Sequence, residues 1–172
     1  MALILRGRPV LLDTNAIIEA WRVNGWKALA GGHTLETVET VVMETHTGFQ
    51  RRRREQQIDQ AVLKGSLRVV HAVSDIQRAE LALTVPDIAL DPGERDLWAH
   101  ALGRRDAWVL CGPDKASLRV GVRLGFREQL VSLEALAETV GLRLTGKLRE
   151  QFTTRWLSTA LSAMVVAEGR NP

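Results

Sequence analysis

The sequence predicts an α/β fold. Short apolar runs alternate with longer segments of helical period along most of the 172 residues, and that alternation is the mark of strands layered against helices. Cap residues, prolines and glycines fall where one kind of segment gives way to the other. Carboxylates stand where apolar runs end, beginning with Asp13 directly after "VLL". A strand end at the edge of an open sheet is where ligand sites tend to assemble, so these acids are candidates for function as well as landmarks.

Taken in order, Val10 to Leu12 reads as a first, core-filling strand, and residues 17–29 carry a helical period. Residues 34–41, "TLETVETV", have a mixed period and read as a second short strand. It runs into a helix near Val41 that continues through Met43 and Phe49 into the arginine run. Residues 66–73, "SLRVVHAV", are β-branched and flanked by turn or cap residues, as a strand would be. Ser74 with Gln77 has the spacing of a capping box and opens a helix. In "LDPGERDLWAHALG" Asp91 suits an N-cap, Pro92 the first helical position and Gly103 a stop. Residues 107–112, "AWVLCG", form another strand, "DKASLRVGVRLG" a helix ending at Gly125, and "QLVS" a further short strand. Ser132 then caps a helix to Val140. Residues 145–168 are one long amphipathic segment that the sheet does not require. The organisation expected is a domain over residues 1–141 with a helical extension, residues 142–172, packed on it.

Composition narrows the classes. A hydrophobic fraction of 45% with 25% charged residues suits a chain with a core and a solvated surface, not a disordered one. The longest uncharged apolar stretch, residues 156–167, is too short to span a bilayer, and residues 1–5 lack the length of a signal peptide. A cytoplasmic location without membrane contact is expected. One cysteine, Cys111, excludes an internal disulfide framework, argues against a zinc site and reads as a core thiol. The net charge of +3 permits nucleic acid as a partner without requiring it.

Four carboxylates occupy comparable places. Asp13 ends the first strand, Glu44 lies in the helix after the second, Asp96 sits in the first turn of the "PGERD" helix, and Asp114 follows the "WVLCG" strand. In a parallel sheet, strand ends and the first turns of the helices after them lie along one edge. Carboxylates brought together there repel, and each raises the pKa of the others unless a cation is present. A hard divalent ion resolves the conflict and can activate water for phosphodiester hydrolysis. Each acid also has a plainer reading. Asp13 can be a turn residue and Asp114 an N-cap. Glu44 can be solvated beside Glu36 and Glu39, and Glu94 can close a capping box with Asp91.

The order and placement of these acids resemble those of PIN-domain proteins, metal-dependent ribonucleases that include the VapC-type toxins of toxin–antitoxin pairs. "LLDTNAII", "ETVVMETH", "GERDLWAHAL" and "WVLCGPDKASLRVGVRLG" carry the resemblance, which covers residues 10–136. It implies a three-layer α/β/α sandwich with a central, mainly parallel sheet. It also implies Mg²⁺ or Mn²⁺ bound by Asp13, Glu44, Asp96 and Asp114 as catalytic ligands, with Asn15 and Glu94 auxiliary. The expected activity is hydrolysis of RNA by metal-activated water, with an antitoxin protein and a second copy of the chain as partners. A PIN-fold RNA-binding or assembly scaffold is the alternative. A phosphatase with a first-strand nucleophile is weak, since Asn15 stands where a second aspartate is wanted.

Basic residues offer a route to the RNA backbone. Arg51, Arg52, Arg53 and Arg54 read either as a phosphate-binding strip or as the solvated end of a helix. Arg119 and Arg123, one helical turn apart, either contact substrate or pair with acids across the surface. His33, His46, His71 and His100 are scattered and read as structural or surface residues, and the five tryptophans read as core or interface anchors.

Overall fold

The structure, a computed structural model, describes residues 7–47, 57–144 and 147–169. Its strands are β1 (Val10–Leu12), β2 (Leu35–Val38), β3 (Val69–His71) and β4 (Val109–Cys111). Its α-helices are α1 (Thr14–Arg22), α2 (Trp26–Gly32), α3 (Glu39–His46), α4 (Gln60–Ser66), α5 (Asp75–Thr84), α6 (Pro92–Leu102), α7 (Lys115–Arg123), α8 (Leu133–Thr139) and α9 (Thr154–Glu168). The strands form one all-parallel sheet in the order β3-β2-β1-β4. Every residue of β1, β2 and β4 is buried, whereas the edge strand β3 is partly open. Strands buried on both faces require cover on both sides, and the architecture is a three-layer α/β/α sandwich, as the sequence predicts.

Register follows from the pattern of burial. Val10 pairs with Leu35 on one side and Val109 on the other, so the first strand is the inner spine of the sheet. Helix α6 is buried almost all round, with Trp98 fully enclosed. The Trp98 ring meets Trp108 edge-on at 6.0 Å, and its indole N–H donates to Ser117 Oγ at 2.8 Å. This anchors α6 against β4 and α7 together.

Several boundaries differ from the sequence reading. The helix expected over residues 17–29 is two, because Asn24 takes a left-handed φ of 56° and starts a new direction at Gly25. Helix α3 stops at His46, and the predicted continuation through Phe49 lies outside the described residues. Helix α4 occupies the start of the expected third strand, capped by Asp59. "QLVS" contributes a single bridge, Leu110 to Leu130, rather than a strand. The C-terminal segment is a 3₁₀ turn at Glu150–Phe152 followed by α9, which Thr153 caps.

That segment is tied to the body by polar contacts. Glu19, buried in α1, accepts the Arg149 backbone N–H at 2.9 Å and holds the Arg22 guanidinium. Glu134 accepts the Thr154 N–H at 2.8 Å. Among the described residues no helix is long and apolar enough to cross a membrane.

Candidate functional site

Three helices begin at the C-terminal edge of the sheet, and each starts at an aspartate. Asp13 caps α1, its Oδ1 accepting the Ala16 N–H at 2.6 Å. Asp91 caps α6 through the Glu94 N–H at 2.9 Å, and Asp114 caps α7 through the Ala116 N–H at 2.7 Å. A helix start leaves backbone N–H groups without helical partners and carries partial positive charge, so acids are favoured there. The capping roles and a shared site are therefore compatible: α1 and α7 follow the adjacent strands β1 and β4, and α6, reached by a loop from α5, starts close enough for Asp91 to act on Asp13.

Two glycines set how closely these ends approach. A Cβ on Gly112, just past β4, would lie 2.8 Å from Asp13 Oδ2, so only glycine lets this turn close over the carboxylate. A Cβ on Gly93 would lie 2.3 Å from Glu44 Oε2. The Gly93 N–H, one of the donors left over at the start of α6, donates to Glu44 Oε1 at 2.8 Å. Thr14 donates its hydroxyl to Glu44 Oε2. Glu44 thus bridges the residue after Asp13 and the residue before Glu94.

Glu94 is the acid of α6 that faces the other carboxylates. It is 6% exposed, and its Oε1 is buried without a hydrogen-bond partner. Burial first, then the charges of Asp114, Asp91 and Asp13, push its pKa up to about 8. Burial likewise raises Asp13 to about 7, with Asp91, Asp114 and Glu44 adding to it against the Ala16 hydrogen bond. Four separate stretches of chain thus place mutually repelling carboxylates in one neighbourhood.

Asp96, the expected third acid, is engaged by cations rather than by the other carboxylates. Two residues after Glu94, it points to another side of α6. There Arg78 grips it through two bonds of 2.8 Å, Thr40 donates to its Oδ2, and Arg95 Nε stands at 3.2 Å. Burial opposes its ionisation, but the Arg78 fork, with Thr40 and Arg95, outweighs burial and holds its pKa at about 2. Its oxygens are committed to fastening α5 to α6.

Of the other predicted residues, Asn15 is exposed in the first turn of α1. Arg119 and Arg123 pair with acids, the second of their two readings: both bond Glu168 of α9, and Arg123 also bonds Asp87. Arg51 to Arg54 lie outside the described residues. Cys111 is a buried thiol whose pKa is raised by burial and by Asp13, consistent with a core role.

The sequence reading did not join Glu36, His71 and His100, whose ligand atoms all lie within 4.8 Å of one another, a group that could hold a metal ion. Burial, with His71 and Arg104 nearby, pulls the His100 pKa down to about 4, so its ring is neutral near pH 7.

No family model, curated protein or solved structure matches the chain.

Proposed function

We propose that the chain is a Mg²⁺- or Mn²⁺-dependent ribonuclease whose ion is held by Asp13, Glu44, Glu94 and Asp114. The observation that carries this reading is Glu94, a buried carboxylate with one oxygen lacking a partner, raised to about 8 among other acids. An isolated cluster of this kind costs stability, and an all-oxygen donor set suits a hard divalent ion. Such an ion, when bound, supplies activated water and charge stabilisation for phosphodiester hydrolysis.

The chain's own residues supply position. Glu44 is held by Thr14 and Gly93, so its carboxylate is fixed against both α1 and α6. The caps of α1 and α7 orient Asp13 and Asp114, and each leaves an oxygen outside the cap bonds. Asp96 acts indirectly, by clamping α5 to α6 and so setting where Glu94 lies. The resemblance to PIN-domain toxins supports RNA as the substrate, an antitoxin as inhibitor, dimer formation and a cytoplasmic site of action.

The test is degradation of a mixed RNA substrate by the purified chain with Mg²⁺ or Mn²⁺ and with chelator, beside Asp13→Asn and Glu94→Gln. Metal-dependent cleavage that both variants lose supports the reading. A folded wild type that binds RNA but neither metal nor cleaves would favour the scaffold.

A further inference from the structure

Beyond the acids at its start, α6 carries a second cluster at its other end. His100 lies six residues after Glu94, about 9 Å along the axis at 1.5 Å per residue. On the sheet, His71 of β3 pairs with Val38 of β2, and Glu36 lies two residues before Val38. Residues two apart on a strand share a face, so Glu36 and His71 are diagonal neighbours on one surface, with His100 packed over them.

The contacts are specific. His71 Nε2 is 2.8 Å from Glu36 Oε2, and the His71 and His100 rings stack with centroids 3.8 Å apart and planes 23° from parallel. Arg104 Nη1 donates to Glu36 Oε2 at 2.5 Å and stands 3.2 Å from His100 Nε2. One positive group is therefore already seated among these lone pairs. Arg104 also has another anchor, since its Nε and Nη2 bond both oxygens of Asp106. The cluster opens to solvent past His71, whose side chain is 22% exposed.

We infer that Glu36, His71 and His100 form a site for a transition-metal ion of the Zn²⁺ class, entered when the Arg104 guanidinium withdraws onto Asp106. Two imidazoles and a carboxylate are a borderline-soft donor set, suited to Zn²⁺, Co²⁺ or Ni²⁺ rather than to the hard ions that carboxylates alone prefer. His71 binds as its Nδ1–H tautomer, with the Nε2 lone pair turned to the ion. The two rings leave their stack so that their lone pairs converge. The three ligands come from β2, β3 and α6, so the ion joins the open edge of the sheet to the helix above it. This site is independent of the acid cluster and does not require nuclease activity.

The test is titration of the full chain with Co²⁺ in excess Mg²⁺, read by visible absorption, for wild type, His71→Asn, His100→Asn, Arg104→Gln and Asp13→Asn. One equivalent should give the intense bands of a four- or five-coordinate Co²⁺ centre, abolished by one equivalent of Zn²⁺. The bands should be lost in both histidine variants and kept in Asp13→Asn. Arg104→Gln should bind about tenfold more tightly or better, because the cation that repels the ion and occupies Glu36 Oε2 is gone. A purely structural ion pair predicts no such gain. Absence of the bands in wild type, their survival in both histidine variants, or their loss in Asp13→Asn would overturn the assignment. Should Arg104→Gln not fold, the histidine variants, at partly exposed rings, decide alone.

Discussion

Glu94 and Asp96 are two residues apart on α6 and live in opposite electrostatic surroundings. Other acids and burial push Glu94 up to about 8, while an arginine fork holds Asp96 at about 2. Two carboxylates of one helical turn thus have separate work: one lacks a cation, and the other already has one.

Substitution should separate them. Glu94→Gln retains the capping bond to Asp91 and is expected to abolish metal-dependent cleavage while the fold persists. Asp96→Asn is expected to lower stability by about 2–3 kcal/mol, less than for a fully enclosed pair because Arg78 keeps contact with solvent. Its folded fraction should still cleave. Urea denaturation beside an RNA cleavage assay distinguishes the two, and the reverse pattern would return Asp96 to the site.

The metal-free protein should lose stability as pH rises from about 4 to about 8. Asp13 and Glu94 have raised folded-state pKa values, so between their unfolded and folded values the native state holds more protons than the unfolded one. That contribution is present below the unfolded values and vanishes through pH 7–8. Thermal unfolding across this range should show the decline, Glu94→Gln should flatten it, and saturating Mn²⁺ should offset it. His100, lowered to about 4, works in the opposite sense below about 6.5, so the comparison with Glu94→Gln decides: identical pH profiles for the two metal-free proteins would refute the cluster.

Asp96 predicts the opposite limb. Its folded pKa is depressed from 3.8 to about 2, so its stabilisation is present above pH 4 and is lost as pH falls toward 2. Wild type and Asp96→Asn should differ in urea midpoint at pH 6 and converge near pH 2. Persistence of the full difference at the lowest pH would show that the charge on Asp96 is not what matters.

Gly93→Ala forces a Cβ to 2.3 Å from Glu44 Oε2, so α6 or Glu44 must shift. The expected cost is about 1–3 kcal/mol of stability, with a loss of cleavage of about a hundredfold from the displaced carboxylate. A kinetic comparison with Gly31→Ala, where a Cβ meets nothing within 4 Å, controls for glycine loss itself.

Arg119 and Arg123 should add nothing to the salt dependence of RNA binding. Their guanidiniums are engaged by Glu168 and Asp87, so they neutralise protein charge rather than phosphate. The slope of log affinity against log salt should be the same in the double glutamine variant; a shallower slope would place them on the RNA.

The strand ends were legible because each announces itself locally. "VLLD" and "VLCGPD" pair an apolar run with a cap, and "DPGE" carries its own start signal. The phase of α6 was not, because Gly93, Glu94, Asp96, Leu97, Trp98, Ala99 and Ala101 are all buried and leave no polar face to orient the helix. Which of the two buried acids meets a cation and which meets other carboxylates then depends on Arg78, an element away. The break at Asn24 and Gly25 had a signal, an Asn-Gly pair within a helical period, that the periodicity outweighed. Glu36, His71 and His100 had none, since three elements supply one residue each.

The order of strands also dictates when the acids can meet. β1 is made early, yet its outer neighbour is β4, and the pairing of Val10 with Val109 closes a loop spanning most of the chain. Asp13 and Glu44 leave the ribosome well before Asp114, and long-range parallel pairing is slow to form. During synthesis the emerging polypeptide therefore carries its acids apart. The acid cluster is therefore complete only once β4, the last strand of the sheet, has been released.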